Sequence, residues 1–514
     1  MIKRVQDLLD HAAADRDRVG WLAGDRAVRF ADMDALSDRI AVGLLKRGVH
    51  RGDRVAINIP NTPEWAAVYF ALAKIGAILV GLSVRYRETE LAHILGDSGA
   101  RLVITVPSRD GADFMAMLAR LRDRLPALET VVTLDDSGEC TLGQLDATPV
   151  DAQLLAEAEA MVRPDDPVMI IYTSGTTGTP KGAVLTHQGQ LGAATAQAQH
   201  MQIDDSDILP LAVPLNHVGG ITCCLLAALT VGARVVLLET FTAAKVLELL
   251  RSGSLTVWVG VPTMHTLLLN HPQFGAVDTS AVRLVVSGGA NAEPVLVHRL
   301  ISAFPNATVM NLYGLSEVSG AAIMTPWRSD TDTTALSIGE PLRGVEVRIA
   351  DARGAEVAVG ETGELHLRTP SMMAGYHAMP SETTDVIDSD GWLRTSDLAC
   401  VDSRGSVFMR GRVAEMFVQG GFNIYPIEVE NILTAHPDVV MAAGIGVPDP
   451  VLGEIGRYYV TLAPNARIDG SDLREFCAAR IADYKVPKQI VIREQLPMTP
   501  SGKVHKHRLR SIES

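Results

Sequence analysis

The alternation of apolar and polar positions sets the elements of this chain. Short β-branched runs at Arg54–Ile59, Arg101–Thr105, Val168–Thr173, Arg234–Leu238, Leu255–Val261 and Val282–Ser287 read as strands. Between several of them apolar residues recur at helical spacing, as in Pro63–Ile75 and Ala243–Leu250. Strands alternating with helices predict α/β layers with largely parallel sheets. From Val345 to Arg368 the pattern changes to strands joined by glycine-rich turns, which predicts a smaller β-rich subdomain. At the start of the chain Val5, Leu8, Leu9 and Ala12 share one helical face and predict an amphipathic opening helix.

A polar turn, Asp402-Ser403-Arg404-Gly405, follows the apolar run Leu398–Val401 and reads as a domain boundary. Beyond it come a hairpin-like Val407–Arg412, a helix over Pro426–His436, strands near Val439–Val447 and Tyr458–Leu462, a helix over Ser471–Ala482 and a strand at Gln489–Arg493. The expected fold class is α/β: a large N-terminal domain of layered α/β sheets with a β-rich subdomain over 1–401, then a smaller α+β C-terminal domain over 402–514.

Composition changes this picture little. Of 514 residues 47% are apolar and 21% charged, enough for a large core. The net charge of −14 argues against a nucleic-acid partner. Cys140, Cys223, Cys224, Cys400 and Cys477 form no C-x-x-C pair, which disfavours zinc and dithiol redox sites and fits reduced thiols in a cytoplasmic protein. The N-terminus has no apolar signal core. Ile208 to Ala233 carries no Asp, Glu, Lys or Arg, but Pro210, Pro214, Asn216, His217 and Gly219-Gly220 interrupt it. A buried strand, a polar turn and a buried helix are expected there, with no membrane span.

The strongest local signal is Tyr172–His187, YTSGTTGTPKGAVLTH. A buried strand runs into a loop of Ser, Gly and Thr that ends at Lys181. Gly175 and Gly178 let the backbone approach a phosphate closely. Thr173, Ser174, Thr176 and Thr177 supply hydroxyl and N–H donors, and Lys181 a mobile positive charge. A plain Gly/Thr surface loop would have the same composition, but the run TSGTTGTPKG is long and specific. No Walker A pattern and no G-x-G-x-x-G at a strand–helix junction occur.

With this loop the chain resembles the adenylate-forming superfamily of acyl-CoA synthetases, coumarate-CoA ligases, luciferases and peptide-synthetase adenylation domains. The likeness covers nearly the whole chain, with motifs in order: Pro214-Leu215-Asn216-His217, Ser287-Gly288-Gly289-Ala290, Asn311-Leu312-Tyr313-Gly314-Leu315-Ser316-Glu317, GWLRTSD at Gly391–Asp397, Arg410–Glu430, and PMTPSGK at Pro497–Lys503.

The resemblance implies an AMP-forming acyl-CoA synthetase with ATP, Mg²⁺, coenzyme A and a carboxylic acid as partners. Adenylation brings an anionic carboxylate against the α-phosphate, so donors and cations must offset the repulsion. Thr173–Lys181 would hold the departing pyrophosphate, Glu317 would bind Mg²⁺ as a hard oxygen ligand, and Ser316 would donate to the α-phosphate. Gly289 and Ala290 would border adenine, Tyr313 would stack on it and Asn311 would pair with its edge. Asp397 would accept both ribose hydroxyls with Arg412 beside it. Lys503 would reach the carboxylate and α-phosphate, although its basic neighbours His505, Lys506, His507, Arg508 and Arg510 also suit an ordinary tail.

For the thiol step the resemblance implies a mobile C-terminal domain that turns about a hinge at Asp402. Gly420, Gly421 and Phe422 would line the coenzyme A tunnel; a tight turn would use the same glycine pair. His217 would border the acyl pocket, or would simply be a core histidine. Val218, Gly219, Val261, Met310, Leu312, Gly314 and Leu315 would shape that pocket. Gly314 stands where short-acid activators carry Trp, which implies a pocket longer than acetate requires, and the apolar lining favours a medium- or long-chain fatty acid or an aromatic acid over an amino acid. Three departures from the family pattern stand out: Ser316 for Thr, Ser396 for Gly and Ala414 for Lys. Two other classes stay open, an adenylating enzyme with a carrier-protein or luciferase-type acceptor and a non-catalytic nucleotide-binding regulator. The acid's identity and a homodimer are not decided by the sequence.

Overall fold

The helix Pro63–Ile75 shows how local sequence and packing agree in this chain. Proline occupies its first turn, where an N–H would be orphaned, and Gly76 closes it at φ +68°. All its residues but Glu64 are buried, because it runs through the centre of the main core beside the helix Phe30–Leu45. In this computed structural model the described residues are 2–11, 17–135, 138, 140–173, 180–464, 466–498 and 504–511.

Three mixed sheets build the first part of the chain. In the seven-stranded one, Pro167–Thr173, Ile78–Gly81, Arg54–Asn58, Leu102–Thr105 and Thr130–Thr133 lie parallel. Lys181–Thr186 and Gly375–Tyr376 extend it as antiparallel strands at one edge. In the five-stranded sheet Val257–Gly260, Leu284–Gly288 and Thr308–Leu315 are parallel, and Gly320–Met324 and Glu340–Pro341 are antiparallel to them. Ile208–Leu211, Arg234–Leu237 and Val19–Ala23 form the third with an antiparallel Arg26–Arg29. The expectation of parallel strands therefore holds for the sheet interiors, while the edges turn back.

Val5, Leu8 and Leu9 of the opening segment are buried in the main core, and the charge-free stretch forms a strand followed by short buried helical segments from Val218 to Thr230. No helix among the described residues is long and apolar enough to cross a membrane.

Glu346–Ala350, Gly363–Arg368, Leu393–Val401 and Val407–Arg412 make a four-stranded antiparallel sheet, the expected β-rich subdomain. This sheet corrects the boundary placed at 402. Leu393–Val401 and Val407–Arg412 pair along their length, from Val401 with Val407 to Asp397 with Arg412. Asp402 sits in the connecting turn, where its Oδ1 accepts N–H bonds from Arg404 and Ser406, both at 2.9 Å. The chain therefore leaves this sheet after Arg412, and rotation at Asp402 would break a closed hairpin.

The described residues beyond Arg412 pack on cores of their own. Val429, Leu433, Tyr458, Val460, Leu473 and Cys477 form one of them, under the helices Pro426–Thr434 and Gly470–Ala478 and the long hairpin Val439–Asp449 with Gly453–Leu462. Both helices end earlier than the apolar pattern suggested.

Candidate active site

The strand Thr308–Leu315 and the turn Ser316–Val318 arrange the candidate residues in a line. At one end Asn311 and Leu312 face the loop after Leu284–Gly288, and Ser287, Ala290, Asn291 and Ile427 line the same cleft. Gly289 takes φ +79°, a conformation that favours glycine. The Asn311 amide nitrogen donates to the carbonyls of Thr334 at 2.6 Å and Ser337 at 3.1 Å. Its Oδ1 and the Ser287 hydroxyl are buried without a partner among the described residues. A buried acceptor left open at a cleft suits an exocyclic amine such as that of adenine.

Two residues on, the Tyr313 hydroxyl donates to Asp397 Oδ2 at 2.6 Å, and Arg412 Nε donates to Asp397 Oδ1 at 2.9 Å. Burial and the neighbouring Asp397 charge push the Tyr313 phenol well above its ordinary pKa, so it stays a donor. The Asp397 charge raises Arg412. Ser396, the departure beside Asp397, takes φ +60°. This is the left-handed conformation that glycine adopts freely, so here serine carries strain that glycine would not.

At the far end Glu317 Oε1 accepts from the Tyr376 hydroxyl at 2.8 Å, and the Lys181 ammonium lies 5.3 Å from the centre of the Tyr376 ring. Burial and then the Glu317 charge raise the Tyr376 phenol. Tyr376 was not anticipated from sequence. It belongs to a strap that fastens both neighbours: Met373 N–H donates to Glu317 O at 2.8 Å, and His377 N–H to Gly182 O at 2.7 Å. Lys181 pairs with Thr173 across the antiparallel ladder, so the two ends of the phosphate-loop motif stand side by side. Ser174, Gly175, Thr176, Thr177 and Gly178 lie outside the described residues, as does Lys503. Ser316 is buried beside Glu317.

The expected acyl-pocket residues divide. His217 caps a short helical segment, its Nδ1 accepting the Gly219 N–H at 3.1 Å. A Cβ on Gly219 would lie 3.2 Å from Val213 Cγ1, and one on Gly289 would lie 3.4 Å from Val261 Cγ1. Leu312 lines the cleft, whereas Met310 and Val218 are buried in the main core. Leu315 packs instead with Tyr313 against the β-rich cluster. Residues two apart on a strand share a face, so Leu315 lies opposite Leu312 and Gly314. A Cβ on Gly314 would come to 2.1 Å from Gly320 O, so a side chain at that position would require the strand pairing with Gly320–Met324 to shift. Gly420 and Gly421, at φ +59° and +88°, form the two-residue turn between Phe417–Gln419 and Phe422–Ile424. Phe422 is exposed and stacks on Tyr484 with ring centres 4.5 Å apart.

Residues 8–377 match the AMP-binding enzyme model, and residues 428–503 match the model of that enzyme's C-terminal domain. The chain belongs to the AMP-binding enzyme family. A Mycobacterium tuberculosis protein, 3-[(3aS,4S,7aS)-7a-methyl-1,5-dioxo-octahydro-1H-inden-4-yl]propanoyl:CoA ligase, is 35% identical over 98% of this chain and 98% of its own. The anthranilate CoA ligase AuaEII, solved with anthranoyl-AMP, superposes with a TM-score of 0.90 at 26% identity, covering 99% of this chain and 96% of its own. ATP-bound MatB from Rhodopseudomonas palustris gives a TM-score of 0.85 at 28% identity, with 99% of each chain covered.

This AMP-binding enzyme is thus an AMP-forming acid–CoA ligase of the adenylate-forming superfamily, with ATP, Mg²⁺ and coenzyme A as its cofactors and co-substrates. The residues present fit the metal. No group of three or more His, Cys, Asp or Glu among the described residues could form a protein cage. Glu317 would hold it: its carboxylate, oriented by the Tyr376 hydroxyl, is a hard oxygen ligand of the kind Mg²⁺ takes. When bound, Mg²⁺ supplies positive charge to the phosphate oxygens.

Proposed function

We propose that this ligase activates a medium- or long-chain fatty acid or an aromatic acid along the line of residues described above. The observation that carries this reading is the single strand and turn, 311–317, that reaches the adenine cleft, the Asp397 pair and the Glu317–Tyr376–Lys181 group in sequence order. That order is the order of base, ribose and phosphates in a nucleotide. Asn311 and Ser287 address the base, and Asp397 accepts the ribose hydroxyls while Tyr313 and Arg412 hold it. Lys181 and the Thr173–Gly178 loop take the pyrophosphate, Glu317 takes the metal and Ser316 the α-phosphate. Lys503 meets the carboxylate and α-phosphate from the second module. The carboxylate oxygen attacks the α-phosphorus and pyrophosphate leaves; the thiol then attacks the acyl carbon and AMP leaves.

Rotation between the two steps is assigned to the segment after Arg412, where the chain leaves the β-rich sheet, with Gly420, Gly421 and Phe422 presented to the pantetheine. The apolar Val261 and Leu312 beside the cleft favour an acid without a charged body. The carboxylic acids in the relatives' names, a ring-bearing propanoate and anthranilate, support this class. The cysteines Cys140, Cys223, Cys224, Cys400 and Cys477 are all unpaired, in keeping with a cytoplasmic setting.

The test is pyrophosphate release across a panel of aliphatic and aromatic acids with Mg²⁺ and ATP, with and without coenzyme A. Acid-dependent release, with AMP turnover sustained only with coenzyme A, is expected. Turnover sustained by another acceptor alone, or binding without turnover, contradicts it.

A further inference from the structure

The helix Glu88–Ser98 packs on the strand pair that carries the two ends of the phosphate motif. Its His93 and Asp97 are one turn apart and so share a face. His93 Nε2 lies 2.9 Å from Pro180 O; a carbonyl only accepts, so this nitrogen carries the hydrogen and donates. The Tyr172 hydroxyl donates to Asp97 Oδ2 at 2.5 Å, and the His93 ring meets the Tyr172 ring edge-on with centres 6.1 Å apart. Burial, and then the bond to Asp97, raises the Tyr172 phenol, so it stays protonated and donating.

These contacts bracket Lys181. Pro180, bonded to His93, is the residue before it. Gly182, the residue after it, pairs with Tyr172 across the ladder. A Cβ on Gly182 would lie 3.1 Å from Tyr172 Cζ, so the ring held by Asp97 rests against the Gly182 backbone. Side chains alternate between the faces of a strand. Ile170 and Tyr172 pack with Leu91 and Ile94 of the helix, whereas Ile171 and Ala183 enter the main core on the opposite face. Thr173 and Lys181 therefore point away from His93 and Asp97. On their side of the sheet the Lys181 ammonium lies 5.3 Å from the centre of the Tyr376 ring, whose hydroxyl donates to Glu317.

We propose that His93 and Asp97 are positioning residues for the pyrophosphate end of the site, clamping the chain on both sides of Lys181 from the back of the sheet. This rests on the reading of Lys181 as the cation of the departing pyrophosphate. His93 and Asp97 touch no substrate; they act through Lys181. With the clamp loosened, Lys181 occupies its place beside Tyr376 for only a fraction of the time, and the apparent affinity for pyrophosphate falls by that fraction. Transfer of the acyl group from acyl-AMP to coenzyme A involves no pyrophosphate and is insensitive to the clamp.

The experiment uses the full chain in four variants. His93→Phe keeps a ring against Tyr172 without the donor, and the side-chain amide of His93→Gln can donate in its place. Tyr172→Phe removes the bond to Asp97, and Lys181→Ala removes the cation itself. The KM for pyrophosphate in acid-dependent ATP–pyrophosphate exchange is measured beside transfer of the acyl group from supplied acyl-AMP to coenzyme A. A hydrogen bond of ordinary net strength corresponds to roughly a two- to tenfold change in an equilibrium constant, so the KM should rise by that factor in His93→Phe and in Tyr172→Phe. Acyl transfer in the same proteins should stay within about twofold, and His93→Gln should return the KM close to the native value. A merely structural contact would lower both half-reactions together and leave the KM alone, and that result, or an unchanged KM with normal rates, overturns the proposal. If His93→Phe does not fold, Tyr172→Phe decides by the same split between half-reactions. A raised KM or loss of exchange in Lys181→Ala alone, with the clamp variants native, rejects the clamp and keeps the lysine assignment. A native KM in Lys181→Ala rejects both.

Discussion

Asp397→Asn tests the ribose end of the site with a magnitude that the geometry supplies. The carboxylate is 2% exposed and uses one acceptor direction on each oxygen, for Tyr313 at 2.6 Å and Arg412 at 2.9 Å. A carboxylate has about four acceptor directions, so one on each oxygen is left for the two ribose hydroxyls. The amide replaces one oxygen by a donor, which removes at least one hydroxyl bond. A hydrogen bond to a charged group contributes about 1.5–3 kcal/mol, so kcat/KM for ATP should fall roughly 10- to 150-fold. Stability should change less, because the Arg412 side chain is 49% exposed and solvent screens its pairing with Asp397. The assay is pyrophosphate exchange with ATP and with 2′-deoxy-ATP on both proteins. The native enzyme should discriminate strongly between the nucleotides and Asp397→Asn weakly, since the interaction measured by the cycle has been removed. Equal discrimination by both proteins would refute the ribose assignment.

Tyr376→Phe keeps the ring beside Lys181 but removes the hydroxyl on Glu317; the Mg²⁺ concentration for half-maximal exchange should rise about tenfold, while a purely structural role would shift only the melting temperature. Ser396→Val should destabilise the protein in urea titration by more than about 1 kcal/mol, and Ser396→Gly should not, because the position is left-handed. Glu293, which faces Thr434 and Glu430 of the second module, has its pKa raised to about 7, first by burial and then by the Glu430 charge. Between its unfolded value near 4.3 and 7 the folded form binds the extra proton, so its contribution to stability is present at low pH and lost as pH rises through 7. The melting temperature of Glu293→Gln should therefore gain on the native protein between pH 5 and 8, and a constant difference would contradict this.

Much of the fold was legible because its signals are local. Proline in the first turn and an apolar run fixed Pro63–Ile75, and β-branched runs located the parallel strands to within a few residues. Non-local pairing defeated the reading elsewhere. The polar turn at 402–405 has the composition of a linker, and only the ladder from Val401–Val407 to Asp397–Arg412 shows that it closes a hairpin. Sequence reads the glycine at 314 as pocket space and carries no sign of the Gly320 carbonyl across the sheet, which a Cβ there would meet at 2.1 Å. The orientation of Leu315 was within reach, since two-residue alternation already places it with Tyr313. Tyr376 is 59 residues from Glu317, and His93 is 87 from Pro180, so no spacing rule could join either pair. The proposed line of nucleotide-facing residues can be drawn from sequence because one continuous segment, Asn311–Glu317, carries it.

In the proposed reaction a carboxylate oxygen becomes bonded to the α-phosphorus of ATP. The most direct measurement supplies an accepted acid labelled with ¹⁸O in its carboxylate, together with Mg²⁺, ATP and coenzyme A, and weighs the products. The enzyme should deliver one labelled oxygen to AMP and leave the other in the thioester. AMP free of label, or a reaction that yields ADP and phosphate instead, would contradict an acyl-adenylate route.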